Sequence, residues 1–228
     1  GIQAFDIEDD NFTFVRSHCI DLLTKITNIF GKKIRFYAMN GLSTEHLDNE
    51  IIDLLYLAGM RLLNLSIATV SEDRLKALHR HTSIEHFKEI GNYSAGKGMK
   101  VVGHFIAGLP EQSIDEVLNT MKTLSELPLI LGISPFYYIP GMNLDVPNIP
   151  GDCRDARLSR FWPADQHMNE LDLITLFRLS RWINYLKKEM NSRNLSFVNF
   201  GDLQIIFQDD PYINTLLREH QLVGMNNR

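Results

Sequence analysis

Short apolar segments alternate with helix-length amphipathic segments through the first 140 residues of the chain. The apolar segments begin near Ile2, Lys33, Arg61, Lys100 and Leu129. Their starts are separated by about 28 to 39 residues, the length of one strand and one helix. Apolar residues recur at helical spacing after each of the first four. The pattern therefore predicts five strands alternating with four helices.

Local signals for helix starts and ends agree with this division. Thr82 with Glu85, and Ser113 with Glu116, have the spacing of a capping box and predict helix starts. Three glycines between a predicted helix and the next strand are expected to adopt the left-handed conformation that favours glycine: Gly31, Gly59 and Gly98.

Strands that alternate with helices in this way are expected to run parallel, because a crossover helix returns the chain in the same direction. The nearly continuous apolar segments 62–67 and 101–108 are typical of strands covered on both faces. Periodicity leaves open a doubly wound sheet or an arc of a barrel. In both folds, the functional site lies at the C-terminal ends of the strands.

The alternation stops at residues 140–165, where prolines and glycines predict a long excursion. A wide apolar stripe over 168–190 predicts a long helix, which either closes its own domain or docks a partner. We favour packing within the domain. A strand is predicted at 196–200 and a short helix after Pro211.

Composition narrows the functional classes. Hydrophobic residues make up 44% of the 228 residues and charged residues 22%, which is typical of a folded globular protein. No apolar run approaches eighteen residues, and no secretory signal is visible. The net charge of −5 disfavours nucleic acid or an anionic membrane as the main partner. The two cysteines, Cys19 and Cys153, are too few for a disulfide scaffold and predict a cytoplasmic protein.

Polar residues and turn residues follow the predicted strands. Carboxylate, amide and hydroxyl groups there can converge on one small molecule, and glycine and proline let backbone groups approach a flat ring. An alternative is that the acidic residues only cap the next helix. The candidate positions are Asp9, Asp10, Asn11, Asn40, Ser66, Ile106, Gly108, Pro110, Glu111 and Tyr137.

Four segments resemble successive strands of the radical S-adenosylmethionine (SAM) superfamily, most closely the group that includes cobalamin-dependent members: FDIEDDNFTF, LNLSIATVSEDRLKALHR, VVGHFIAGLPEQSIDEVLNTMK and ISPFYYIPGMNL. The resemblance implies an α/β fold with strands two to six of an open, parallel, partial (βα)6 barrel. It assigns residues 1–144 to this barrel and residues 145–228 to a C-terminal loop and helical extension that packs on it.

Members of this family bind SAM across the strand ends and cleave it reductively at a 4Fe-4S cluster. The resulting 5′-deoxyadenosyl radical takes a hydrogen atom from a small-molecule substrate. By resemblance, residues 9–11 lie near the methionyl group or the substrate, and Ser66 belongs to the ribose motif. Residues 106–111 match the segment that packs on adenine, and the backbone at Tyr137 matches a position that meets the adenine edge. Asn40, which follows the second predicted strand, is a further candidate for cofactor binding.

The cluster motif CxxxCxxC is absent, and a cluster of this kind needs three thiolates. Cys19 and Cys153 are 134 positions apart. We therefore expect the cluster ligands to lie outside this chain, and the chain alone to be inactive in SAM cleavage. Cobalamin is expected, if at all, in a further domain. The alternatives to such an enzyme fragment are a relative that has lost the motif and a non-catalytic α/β binding module. In a fragment, the apolar surface that becomes exposed is expected to pair two copies of the chain.

Two further departures concern the SAM site itself. The strand-four phrase usually reads SIES in this group but is Ser66-Ile67-Ala68-Thr69 here, so a carboxylate acceptor for the ribose hydroxyls is lost. The strand-five phrase lacks the glycine that is usual between Pro110 and Glu111.

The histidines raise a metal hypothesis, particularly at residues 79–86. On a helix, His79 and His81 would point apart, which favours surface histidines over ligands. Arg80 between them matches a basic residue frequent in the family and is either a substrate-side candidate or an exposed structural arginine.

His104 alternates with Val102 and Ile106 on a predicted strand. It is a substrate-side candidate for a proton shuttle or a core histidine. A hydrolase triad of Ser66, His104 and Asp10 is disfavoured because Ser66 lacks the G-x-S-x-G turn. No G-x-G-x-x-G or P-loop segment follows a predicted strand, so the usual sequence signatures of dinucleotide and nucleoside-triphosphate binding are missing.

Overall fold

The predicted strand and helix units are present in the computed structural model, which describes residues 1, 3–9, 11–151, 161–192, 209 and 211–219. The strands are β1 (Ala4–Asp6), β2 (Arg35–Tyr37), β3 (Leu42–Ser43), β4 (Leu62–Ala68), β5 (Lys100–Ala107) and β6 (Ile130–Pro135). The helices are α1 (Arg16–Phe30), α2 (Asn49–Leu57), α3 (Glu72–Ala77), α4 (Ile84–Gly96), α5 (Ile114–Ser125), α6 (Glu170–Ser192) and α7 (Pro211–Glu219). The sequence pattern did not predict β3.

The strands follow one another in parallel. β1 pairs with β2, and the other strands lie in the order β3, β4, β5, β6. The β1–β2, β3–β4 and β4–β5 pairs are parallel. A parallel bridge joins Phe36 to Met60, and Leu42 is the partner of Leu65. β2 and β3 therefore occupy one strand position, interrupted at residues 38–41. The predicted α/β class with parallel strands is confirmed.

Two of the predicted helix signals have different outcomes. Ser113 caps α5, with its side chain accepting the Glu116 N–H, as predicted. α4 is capped by Ser83 rather than by Thr82, so that prediction is wrong by one residue. The Thr82 hydroxyl instead lies 2.5 Å from the hydroxyl of Thr44.

Glycine positions between helices and strands are confirmed. Gly31, Gly59 and Gly98 have φ values of 55°, 105° and 83°, all in the region that favours glycine. They end their helices at the points where the chain turns into the next strand. The alternative that acidic residues cap α1 is wrong, because its N-cap is Val15, which makes no side-chain cap.

The chain divides into two compact units. The first comprises Gly1–Phe105 with Leu127–Gly132, and the second Ile106–Glu126 with Ile133–Arg228. Completely buried side chains in the first unit include Ile51 and Leu55 on α2, Leu63 on β4 and Phe87 on α4. The predicted domain boundary after residue 144 stays a prediction.

The second unit is built around α6. α5 and α7 both pack on this helix. Leu173, Leu176 and Leu179 of α6 are buried, as expected for packing within the unit, whereas Trp182 and Tyr185 are exposed. Docking of a partner on the exposed face stays a prediction.

The excursion contains no helix or strand at 136–151 or 161–169. It is tied together by Asn148, whose N–H donates to the Ala164 carbonyl and whose carbonyl accepts from the indole of Trp162. The predicted strand at 196–200 lies outside the described residues, as does Cys153. Within the part of the chain described here, no helix has the length and apolarity needed to cross a bilayer.

Candidate functional site

The central strands of the first unit have a helix-covered face and an opposite face. A Cβ on Gly103 would lie 3.2 Å from the Phe87 ring of α4, so this side of β5 faces the helix. Val102 and His104, which alternate with Gly103, lie on the opposite face. Partners in register point to the same side of a sheet.

The opposite face is polar. Ser66 of β4 is in register with His104 of β5 and with Ser43 of β3, and Asn64 is in register with Val102. We refer to Ser43, Asn64, Ser66 and His104 as the polar face. The interior of a parallel barrel is normally filled by branched apolar side chains. This face therefore departs from a simple packed core.

Asn64 holds the imidazole of His104. His104 Nε2 lies 3.1 Å from Asn64 Oδ1, and the Asn64 side chain is 5% exposed. Asn64 Nδ2 points to the carbonyl oxygen of Ala38 at 3.5 Å and to the sulfur of Met39 at 3.7 Å. Because this arrangement turns Oδ1 towards the ring, the network assigns the proton to Nε2. Burial lowers the pKa of His104, which favours the neutral ring.

Gly132 on β6 makes room for the same ring. A Cβ at this position would lie 2.7 Å from His104 Nδ1 and 2.9 Å from Val102 Cγ1. No side chain other than hydrogen fits there without moving the imidazole. The predicted alternation of His104 with Val102 is confirmed, and the proton-shuttle role stays a prediction.

The end of β4 has an unusual backbone. The register between β4 and β5 shifts between Ser66 and Ala68, and Ala68 is fully buried with a φ of 67°. This conformation costs a residue with a Cβ roughly 1–2 kcal/mol. The position at which the resemblance expects a carboxylate is thus a strained, buried alanine with no side-chain acceptor.

The acidic segment after β1 forms a local turn. Asp9 Oδ1 accepts the Asn11 N–H at 2.8 Å, and Asn11 Oδ1 accepts from the Thr13 hydroxyl at 3.1 Å. Asp10 lies outside the described residues. Asn40 is exposed in the turn between β2 and β3. Their cofactor roles stay predictions.

The histidine cluster has a different geometry from the one expected. α3 ends at Ala77 and His79 has a φ of 53°, so these histidines are not on a helix. His79 and His81 are nevertheless exposed, as predicted for surface histidines. His86 Nε2 lies 2.9 Å from the carbonyl oxygen of Thr44, which gives it a structural contact. Arg80 is exposed, and its N–H donates to the Leu75 carbonyl. Among the described residues, no group of three or more suitable side chains could hold a metal ion.

In the second unit, a buried glutamine organises the turn after β5. Gln112 is 1% exposed, and its Oε1 accepts the N–H groups of Gly108 at 2.9 Å and Leu109 at 3.2 Å. Its Nε2 donates to the Ile106 carbonyl at 3.2 Å. The sequence prediction missed Gln112, although a polar residue two positions after a Gly-Leu-Pro turn was a signal.

Asp165 from the excursion joins the same turn. Its carboxylate accepts the Glu111 N–H and, at 2.8 Å, the His167 N–H. Burial raises the pKa of Asp165, but these hydrogen bonds outweigh it and the net shift is downward. Glu111 has a φ of 60° and thereby adopts the conformation for which the family's glycine is suited.

Fewer backbone N–H groups in residues 106–111 are open to a ligand than the glycine and proline of this segment led us to expect. The N–H groups of Gly108, Leu109 and Glu111 already donate within the unit. A Cβ on Gly108 would lie 2.9 Å from Leu173 Cδ2, so this glycine makes room for α6. Tyr137 follows β6 and is 37% exposed. The adenine-binding roles of these residues and of Pro110 stay predictions.

The hydrolase alternative gains no support. His104 Nε2 bonds to the Asn64 amide, whereas a triad orients its histidine with a carboxylate. Asp10, its proposed third member, lies outside the described residues.

Comparison with known proteins identifies the family. The sequence model of the Radical SAM superfamily matches residues 13–124. These residues are a radical SAM domain. The match begins just before α1 and ends within α5, so it covers β2 to β5. Curated proteins show no match to the sequence.

Solved structures support the fold of the radical SAM domain. The radical S-adenosylmethionine methyltransferase TsrM from Kitasatospora setae, solved with cobalamin and a 4Fe-4S cluster bound, has a TM-score of 0.53 at 16% identity. The match covers 60% of this chain and 26% of that chain. Methylornithine synthase (PylB) has a TM-score of 0.53 at 12% identity, over 81% of this chain and 49% of that chain. This chain therefore spans about a quarter to a half of their lengths.

Proposed function

We propose that this chain is the SAM-binding part of a radical SAM enzyme that forms a 5′-deoxyadenosyl radical and acts on a small molecule. The observation that carries the proposal is the family match over residues 13–124, which includes the turns that follow β2 to β5. The enzyme as a whole would cleave SAM at a 4Fe-4S cluster whose ligands lie outside this chain. We place it in the cytoplasm.

The turn after β5 would meet the adenine part of SAM. Gln112 locks residues 106–109 by three hydrogen bonds, and Asp165 holds Glu111. Such a turn presents a fixed surface to a flat ring, which reduces the ordering that binding would otherwise require. In the proposal, residues 106–111 and Tyr137 contact adenine.

The remaining candidates are polar residues of the other strands and turns. Ser66 would contact the ribose, whereas Asp9, Asp10, Asn11 and Asn40 would lie on the methionyl or substrate side. Arg80 and His104 are proposed to face the substrate side. The buried alanine at position 68 means that the ribose hydroxyls need an acceptor from another residue.

The cysteines of this chain do not fit a cluster. The sequence contains two cysteines, and Cys19 is fully buried in α1. Burial raises the pKa of the Cys19 thiol to about 11, whereas a cluster ligand must be a thiolate. We therefore expect no cluster on this chain alone. Cobalamin, if the enzyme uses it, would bind a further domain.

Calorimetry with SAM and with 5′-deoxyadenosine tests the adenosyl site. We expect both to bind the chain, and Gln112→Ala to weaken both because the turn loses its support. Gln3→Ala, at an exposed glutamine, is the control. Wild-type protein that binds neither ligand contradicts the proposal.

Anaerobic reconstitution with iron and sulfide tests the cluster. We expect no stable visible absorption from a thiolate-ligated cluster. If this absorption appears, the chain carries cluster ligands after all.

A non-catalytic binding module is the second candidate, favoured by Ala68 and by the cysteine count. It predicts no affinity for either adenosyl compound. Pairing of two copies through exposed apolar surface also stays a prediction, to be checked by analytical ultracentrifugation.

A further inference from the structure

The exposed face of α6 carries a cluster of aromatic and cationic side chains. Leu173, Leu176 and Leu179 are buried on the other side of the helix, within the second unit. The spacing of the cluster, by one, three, one and three positions, places its members on one helix face. We call these five residues, which line a cavity of about 520 Å³, the α6 cluster: Phe177, Arg178, Arg181, Trp182 and Tyr185.

The side chains of the α6 cluster contact one another. The rings of Trp182 and Tyr185 meet edge to face, with centroids 5.7 Å apart and an interplanar angle of 87°. The guanidinium of Arg181 lies 5.6 Å from the centroid of the Phe177 ring. These contacts exist without a partner, so fewer side-chain rotations remain to be fixed when a partner binds.

Exposure and residue type indicate a docking surface. Trp182 is 39% exposed and Tyr185 is 51% exposed, although both rings are large and mainly apolar. Contiguous exposed apolar side chains mark interaction sites, whereas single ones are ordinary on protein surfaces. Tryptophan, tyrosine and arginine are the residues that most often contribute the binding energy of protein interfaces. The α6 cluster contains all three types.

The charge of the α6 cluster indicates an acidic partner. The cluster has two guanidinium groups and no carboxylate, in a chain whose net charge is −5. Arginine binds carboxylates through two parallel hydrogen bonds. A second copy that docked by two-fold symmetry would bring the cluster against itself, and like charges would meet. The overall negative charge of the chain disfavours nucleic acid.

A polypeptide segment fits this surface better than a small molecule does. Small-molecule sites enclose most of the surface of their ligand. The described lining of the cavity comes from α6 alone, and one helix face cannot surround a ligand. A polypeptide segment can lie along such a face, with an apolar side chain against the rings and a carboxylate against an arginine.

We infer that the α6 cluster docks an acidic segment of a partner protein. In this complex, an aromatic or branched apolar side chain of the segment packs on Trp182 and Tyr185, and a carboxylate of the segment pairs with Arg181. The docking requires neither SAM nor a 4Fe-4S cluster, so it is independent of the proposed function.

Fluorescence anisotropy with the full chain and four dye-labelled probes tests the chemistry of the partner. The probes are a random copolymer of glutamate and tyrosine, a random copolymer of lysine and tyrosine, polyglutamate and oligodeoxythymidylate. We expect the glutamate–tyrosine copolymer to bind most tightly. Its affinity should fall roughly tenfold when the salt concentration rises from about 0.05 M to about 0.5 M, because salt screens the charge pairs.

Two variants locate the binding on α6. Trp182→Ala removes the apolar anchor point and should weaken binding of the glutamate–tyrosine copolymer roughly tenfold or more. Arg181→Glu places a carboxylate against the acidic segment and should have an effect of similar size. The matched controls in the first unit are Phe14→Ala, at an exposed aromatic residue, and Arg35→Glu, at an exposed arginine. Both should bind as wild type does, and circular dichroism checks that every variant is folded.

Several results would overturn the inference. The first is the absence of binding to the glutamate–tyrosine copolymer, and the second is binding that neither Trp182→Ala nor Arg181→Glu weakens. Equal affinity for polyglutamate would show that the rings bind no apolar side chain. Tighter binding of oligodeoxythymidylate or of the lysine copolymer would contradict an acidic protein segment. Self-association that Trp182→Ala removes, measured by analytical ultracentrifugation, would assign the surface to a second copy instead.

Discussion

The side-chain oxygen of Gln112 accepts the backbone N–H of Gly108 at 2.9 Å inside the second unit. Both groups are shielded from solvent, so water cannot replace the hydrogen bond if the side chain is removed. The same amide donates to a carbonyl of β5. One buried side chain thus fixes the strand end and the turn that carry the proposed adenine contacts.

Gln112→Ala should lower the free energy of unfolding by about 2–4 kcal/mol, because two buried N–H groups lose their acceptor. Urea denaturation followed by circular dichroism measures the change. The matched variant Gln3→Ala, at an exposed glutamine, should stay within about 0.5 kcal/mol of wild type. Equal stability of the two variants would argue against the role of Gln112.

A comparison of Gly108 with Gly141 separates two reasons why a position needs glycine: a positive φ, and the lack of space for a Cβ. Both have positive φ, at 90° and 88°. A Cβ on Gly108 would lie 2.9 Å from Leu173 Cδ2, whereas a Cβ on Gly141 meets nothing within 4 Å. Gly141→Ala should cost about 1 kcal/mol from the backbone alone. Gly108→Ala should cost roughly 1–3 kcal/mol more through overpacking.

A double variant checks the cause of that excess. Leu173→Ala in the Gly108→Ala background should relieve part of the overpacking, so the two changes should cost less together than the sum of their separate effects. Urea denaturation of the four proteins gives the interaction free energy. Strict additivity would mean that the clash with Leu173 does not cause the loss.

Burial should make Cys19 unreactive in the folded chain. Its pKa is raised from 9.0 to about 11 by desolvation, and the thiolate is the nucleophile. In a Cys153→Ser background, iodoacetamide at pH 8 should label Cys19 only in urea, as measured by mass spectrometry. The raised pKa also means that this residue's contribution to stability is present below pH 9 and is lost as the pH rises through about 11. Rapid labelling of folded protein would contradict the assignment.

The sequence predicted the fold where local chemistry determines structure. The left-handed glycines at 31, 59 and 98 and the serine cap at 113 depend on residues within a few positions, so they could be read directly. Thr82 and Ser83 are adjacent and both can cap a helix. Ser83 makes the cap, whereas the Thr82 hydroxyl contacts Thr44, 38 positions away along the chain. The two-residue strand β3 is also too short to give a periodic signal.

The candidate site was less accessible to sequence reasoning, because its supporting residues act through tertiary contacts. In the sequence, Asn64 is only a polar residue within an apolar strand. Its role becomes visible in the structure, where its side-chain amide contacts His104. Asp165 lies in an irregular segment, 54 positions from the Glu111 N–H that it accepts. Gly132 is informative only when the ring beside it is known. These residues are far apart in sequence and meet only after folding.

The pH dependence of stability provides the last prediction and concerns His104. Burial lowers its pKa in the folded chain below the ordinary value of 6.5, so the unfolded chain binds more protons between the two values. The residue's contribution to stability is therefore fully present above pH 6.5 and is lost as the pH falls through the folded pKa. Because other histidines also titrate in this range, the useful quantity is the difference between wild type and His104→Phe. Urea denaturation from pH 5 to pH 8 should show a smaller loss in the variant on the acidic side; parallel profiles would mean that the ring is not held neutral by its surroundings.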